Sequence, residues 1–83
     1  MANPKKTLEA VQRGQGVISF GDLESLLKKL GFKLDRTNGS HHIYLHPRVS
    51  RPMNVQRKGK DAKPYQVRQL RDIIEEFGLE LDD

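Results

Sequence analysis

Eighty-three residues with no cysteine and a net charge of +4 describe one small domain that folds without disulfides. A domain of this size buries roughly 60% of its unfolded-chain surface, so its core is thin. No apolar run approaches the roughly 18 residues of a membrane helix and no signal-peptide pattern opens the chain, which excludes a helical span and fits a reducing cytoplasm.

Asn3, Pro4 and the run from Lys5 to Arg13 predict a first helix, with Gly14 at its exit. Its apolar face is only Leu8, Ala10 and Val11, so it is expected to be peripheral, and Gly14-Gln15-Gly16 reads as a flexible joint. Ser19 and Asp22 have the spacing of a capping box and open a second helix. Phe20, Leu23, Leu26, Leu27 and Leu30 recur along it at helical spacing, and Gly31 ends it.

Phe32 to Arg36 predicts a first strand, Thr37-Asn38-Gly39-Ser40 a hairpin turn, and His41 to His46 a second strand. Asn38 and Gly39 are the turn formers. Pro47 to Arg51 is a loop, and Pro52 to Gln56, with Met53 and Val55, is a third strand. Arg57 to Lys63 is a basic loop. Pro64 starts a last helix to about Phe77, with Val67, Leu70, Ile73, Ile74 and Phe77 on its buried face and Gly78 beyond it. The expected organisation is an N-terminal helix and joint over residues 1–18, a domain over 19–78, and an acidic tail over 79–83. The fold class is α+β. The 19–78 unit is α-β-β-β-α, two helices on one face of a three-stranded meander, the arrangement of double-stranded-RNA-binding domains.

Charge is distributed unevenly along this frame. Residues 28–71 hold twelve basic side chains against Asp35 and Asp61, whereas residues 72–83 hold six acidic groups and no basic one. A basic centre concentrates a polyanion. All three histidines, His41, His42 and His46, fall inside it. Imidazole titrates near neutral pH and suits proton transfer. Metal binding does not fit these residues. His42 and His46 lie about 13 Å apart along a strand, beyond the reach of one ion with bonds near 2 Å. No metal or cofactor is therefore expected.

The segments Leu26-Leu27-Lys28-Lys29-Leu30-Gly31-Phe32, then Arg36, Gly39-Ser40-His41-His42-Ile43-Tyr44 with His46-Pro47, Asn54-Val55-Gln56 and Ala62-Lys63-Pro64-Tyr65-Gln66-Val67-Arg68-Gln69-Leu70 resemble the HicA (YcfA-like) toxins of prokaryotic toxin–antitoxin pairs. The resemblance covers about residues 19–78. It implies a double-stranded-RNA-binding-like fold and a ribonuclease acting on messenger RNA in a prokaryotic cytoplasm. It also implies a HicB-type antitoxin that covers the active site. In that family the histidine directly after Gly-Ser is catalytic, which is His41 here. Many members carry a Pro-x-His after the third strand, where this chain has Val55-Gln56-Arg57. That departure leaves a second reading open, a non-catalytic RNA-binding module of the same fold. A membrane partner is not expected, and the residues do not choose an oligomeric state.

Strand alternation supplies a separate reading. If Ile43 and Leu45 face the helices, His41 shares their face, and His42, Tyr44 and His46 point to the open one. Alternation favours His42 as the accessible imidazole; the resemblance favours His41. Ribonuclease chemistry without a metal needs a base for the ribose 2′-hydroxyl, an acid for the leaving oxygen and cations for the phosphorane. His41 is the first candidate for proton transfer and His42 the second. Ser40 is a candidate to hydrogen-bond the imidazole or a phosphate, and Arg36, Arg57, Lys58, Lys60, Lys63 and Arg68 are candidate phosphate contacts. Tyr44 is read either as a platform for a base or as a sheet tyrosine.

Overall fold

The computed structural model describes residues 3–14 and 17–81. Gln15 and Gly16 of the expected joint, and Asp82 and Asp83 of the tail, lie outside the described residues.

Three helices and four strands follow in the order α1 (Pro4–Arg13), α2 (Phe20–Lys29), β1 (Lys33–Asn38), β2 (His41–Leu45), β3 (Met53–Lys58), β4 (Asp61–Ala62) and α3 (Pro64–Phe77). Local chemistry sets each helix start. The Asn3 side chain accepts the Lys6 amide at 2.9 Å, Ser19 Oγ accepts the Asp22 amide at 3.2 Å, and Pro64 lies in the first turn of α3. Such caps satisfy amides that have no partner within the helix. Helices α1 and α3 end on left-handed glycines, Gly14 and Gly78.

The strands form one antiparallel sheet in the order β1-β2-β3-β4. Two differences from expectation have local causes. The β1–β2 turn is Gly39-Ser40 rather than Asn38-Gly39, because Asn38 pairs with His41 as the last rung of the ladder and, of these turn residues, Gly39 takes the positive φ, 61°. The basic loop is a short hairpin. Arg57 and Lys58 continue β3, the chain turns at Gly59-Lys60, and Asp61-Ala62 returns as β4. The segment before α2 runs beside β4, with the Ala62 amide donating to Ile18 O at 2.8 Å and the Phe20 amide to Lys60 O at 2.9 Å.

Helices α2 and α3 pack on one face of the sheet. Tyr44, Phe20, Leu23, Leu26, Leu27, Met53, Leu70, Ile73, Val11 and Val55 are all less than 2% exposed. Burial of each such side chain contributes about 1.5–3 kcal/mol. Helix α1 gives this core more than its composition implies: it packs on α2 and α3, with Val11 and Thr7 buried. Leu79 is buried and Leu81 packs against the core.

The β2–β3 loop is fastened to both helices. His46 Nε2 donates to Leu30 O at 2.9 Å at the end of α2, and its Nδ1 accepts the Arg48 amide at 3.0 Å. Its ring lies edge-on to Phe32, centroids 4.9 Å apart, and against Gly31, where a Cβ would stand 2.9 Å from Nε2. Arg48 Nη2 donates to Phe77 O at 2.7 Å, and Arg51 pairs with Glu76 at 3.1 Å. His46 is thereby a clasp in the framework.

Candidate active site

The register assigns the two sheet faces. Tyr44 pairs with Met53 and His42 with Val55, and Met53 and Val55 are fully buried. His42 and Tyr44 therefore point toward the helices. His41, Ile43 and Leu45 point the other way, beside Gln56 and Asn54. No described helix packs on that face, and Leu45, Asn54 and Arg36 on it are exposed. The expectation from alternation is thus corrected: the pairs are right and the faces are exchanged. The apolar side of β3 decides the faces, and Tyr44 fills more of the core than Ile43 would.

On the helix-free face His41 is partly exposed. Its Nδ1 lies 3.2 Å from Asn54 Oδ1. A carbonyl oxygen only accepts, so Nδ1 is the donor of this contact, and in the neutral ring Nε2 is then the acceptor. Gln56, opposite His41 across the ladder, joins two further groups. Its Nε2 donates to Ser40 Oγ at 3.2 Å, and its Oε1 accepts from Lys63 Nζ at 3.0 Å. Its backbone amide donates to the buried Gln66 Oε1 at 2.7 Å. Ser40, His41, Asn54, Gln56 and Lys63 thus converge from the turn, β2, β3 and the start of α3.

On the other face His42 Nδ1 lies 2.8 Å from Glu24 Oε2, with both side chains about a quarter exposed. Its ring meets Phe20 edge-on, centroids 5.1 Å apart. The Tyr44 hydroxyl donates to the same Glu24 oxygen at 2.6 Å. Burial, that hydrogen bond and the carboxylate's charge push the Tyr44 phenol well above the usual tyrosine range. A ring with no exposed surface cannot stack a base, so Tyr44 is withdrawn as an RNA contact. A phenol so reluctant to ionise is also a poor proton donor for catalysis. His41 and His42 stand on opposite faces and cannot serve one phosphate together.

The candidate cations spread around the sheet. Lys63 is bonded to Gln56, the ladder partner of His41. Arg36 shares the open face, opposite Ile43, and lies 3.7 Å from Asp35. Lys58 and Lys60 are exposed on the β3–β4 hairpin. Arg57 points back toward the helices, its guanidinium carbon 5.0 Å from the Phe20 ring centroid. Arg68 is exposed on α3, and among the described residues no hydrogen bond or ion pair joins it to the cluster.

Four polar residues of these networks are not among the candidate site residues read from the sequence: Asn54, Gln56, Gln66 and Glu24. Asn54 and Gln56 alternate with Met53 and Val55, a signal that they face away from the core. Glu24 sits four residues after Phe20 on the same helical face. Hydropathy holds no signal for Gln66, because a glutamine is rarely buried.

A family model described as "HicA toxin of bacterial toxin-antitoxin" matches residues 20–79. No curated protein and no solved structure matches the chain. The matched span covers α2, the sheet and α3, and so both histidine networks. With 60 of its 83 residues inside that span, the chain belongs to the HicA family, the toxins of bacterial toxin–antitoxin systems.

Proposed function

We propose that this toxin is an endoribonuclease that cuts messenger RNA without a metal, with His41 as the proton-transfer group. Membership of the family supports a ribonuclease. The observation that carries the choice of residue is the His41–Asn54 contact on the helix-free face. It holds one imidazole nitrogen and leaves the other as a base. Nε2 takes the proton of a ribose 2′-hydroxyl, and the 2′-oxygen attacks the adjacent phosphorus. The O2′–P bond forms as the P–O5′ bond breaks. Water protonates the leaving 5′-oxygen, and the imidazolium neutralises the hydroxide left behind. The products are a 2′,3′-cyclic phosphate and a 5′-hydroxyl. Ser40 and the Lys63 ammonium stabilise the charge on the phosphorane. Arg36, Lys58 and Lys60 hold neighbouring phosphates, with Arg57 and Arg68 at the margins. A HicB-type antitoxin covers this face in the resting bacterial cytoplasm.

The test is incubation of the purified protein with end-labelled messenger RNA in excess chelator. The expected result is fragments ending in 2′,3′-cyclic phosphate and no cut where the scissile ribose is replaced by deoxyribose. Cleavage that needs an added divalent ion, or that ignores the 2′-hydroxyl, contradicts the mechanism. RNA bound and left intact supports the non-catalytic RNA-binding module, which the missing Pro-x-His also favours.

A further inference from the structure

The Lys63–Gln56–Ser40 contacts have a polarity that chemistry dictates. An ammonium has donors and no acceptor. The Gln56 atom 3.0 Å from Lys63 Nζ is therefore the carbonyl oxygen, and the carboxamide orientation follows. Its amide nitrogen then faces Ser40 Oγ at 3.2 Å and can only donate. Ser40 must accept, and its own hydroxyl proton is left to donate elsewhere. Every donor in the chain points the same way, from the cation toward the turn. Such chains strengthen each member by mutual polarisation.

Resting on the ribonuclease reading, we infer that Gln56 is a positioning residue that makes Ser40 an outward hydrogen-bond donor for a phosphate oxygen of the RNA beside His41. The ligand that fits a free hydroxyl donor at this point, next to the His41 imidazole and one residue removed from the Lys63 ammonium, is an anionic oxygen. Gln56 does not touch the RNA. It is held from behind, since its backbone amide is bound to buried Gln66. That anchor belongs to the main chain and survives any side-chain replacement, so the device can be dismantled without undoing the sheet.

The experiment is a double-mutant cycle in kcat/KM for RNA cleavage, using Ser40→Ala, Gln56→Met and the pair. Methionine keeps the length and neutrality of glutamine and cannot donate. Gln56→Met is expected to lower kcat/KM about tenfold through lost orientation of the hydroxyl. In the Ser40→Ala background it is expected to cost far less, only what release of Lys63 from its contact accounts for, with thermal midpoints alike throughout. Additive losses, or a Gln56→Met loss that tracks a fallen midpoint, overturn the inference while the ribonuclease reading stands. If the wild type cuts nothing, that reading fails, and the cycle is repeated on binding of a 2′-O-methyl oligonucleotide. A non-additive Kd then supports the oriented donor. Additive values, or no binding at all, reject it.

Discussion

Replacing Tyr44 by phenylalanine separates a buried framework tyrosine from a base-stacking one. The ring is fully buried, and its hydroxyl donates to Glu24 at 2.6 Å. A hydrogen bond to a charged group contributes about 1.5–3 kcal/mol. Glu24 keeps His42 at 2.8 Å and 21% of its side-chain surface in water, so its carboxylate is not stranded. The lower part of the range applies, about 1.5 kcal/mol. For a domain of this size that lowers the thermal midpoint by about 6–12 °C. The assay is urea denaturation of wild type and Tyr44→Phe, with the midpoint falling and the slope unchanged. RNA affinity is expected to stay the same. A variant as stable as wild type that has lost RNA affinity would return Tyr44 to the open face and refute the assignment of faces.

Further outcomes follow from the same geometry. The Tyr44 phenol titrates above the usual tyrosine range in the folded protein, so its contribution is intact below the unfolded value near pH 10 and is lost as pH rises beyond it. In a Tyr65→Phe background, where Tyr44 is the remaining tyrosine, tyrosinate absorbance is expected only with alkaline unfolding; absorbance rising at about pH 10 in folded protein contradicts the burial. Gly31→Ala is expected to destabilise more than Gly39→Ala. Both positions have positive φ, which costs about 1–2 kcal/mol with a side chain, but a Cβ at Gly31 also meets His46 Nε2 at 2.9 Å while Gly39 has nothing within 4 Å. Equal denaturant midpoints for the two variants would mean that His46 yields freely and is no clasp.

The helices were legible because their signals are local. Asn3, Ser19, Pro64 and the terminal glycines act within one turn, and the leucine stripe of α2 has a single period. The last strand was not, because Asp61-Ala62 has two residues and owes its pairing to β3 and to the segment before α2. The faces of β2 were misread for a related reason. Alternation tells which side chains travel together but not which set is buried. In His41 to Leu45 both sets contain large side chains, and the choice is made by Met53 and Val55 across the ladder. The His41 site was half legible. The Gly-Ser-His motif marked Ser40 and His41, whereas Asn54 and Gln56 join them only through register. The half-buried Glu24–His42–Tyr44 network links a helix to a strand across 18 and 20 residues, and no spacing rule reaches that far.

In the proposed mechanism His41, and not His42, moves the proton. The most direct measurement is the single-turnover cleavage rate of one labelled messenger RNA by wild type, His41→Ala and His42→Ala, with excess chelator and well below each thermal midpoint. His41→Ala is expected to lose about 10²-fold or more, the usual worth of a positioned acid–base group, with its stability unchanged. His42→Ala, which removes the Glu24 contact, is expected to melt lower and still cut within a few-fold of wild type. Cleavage abolished by His42→Ala and retained by His41→Ala would move the chemistry to the Glu24 side of the sheet and contradict the account.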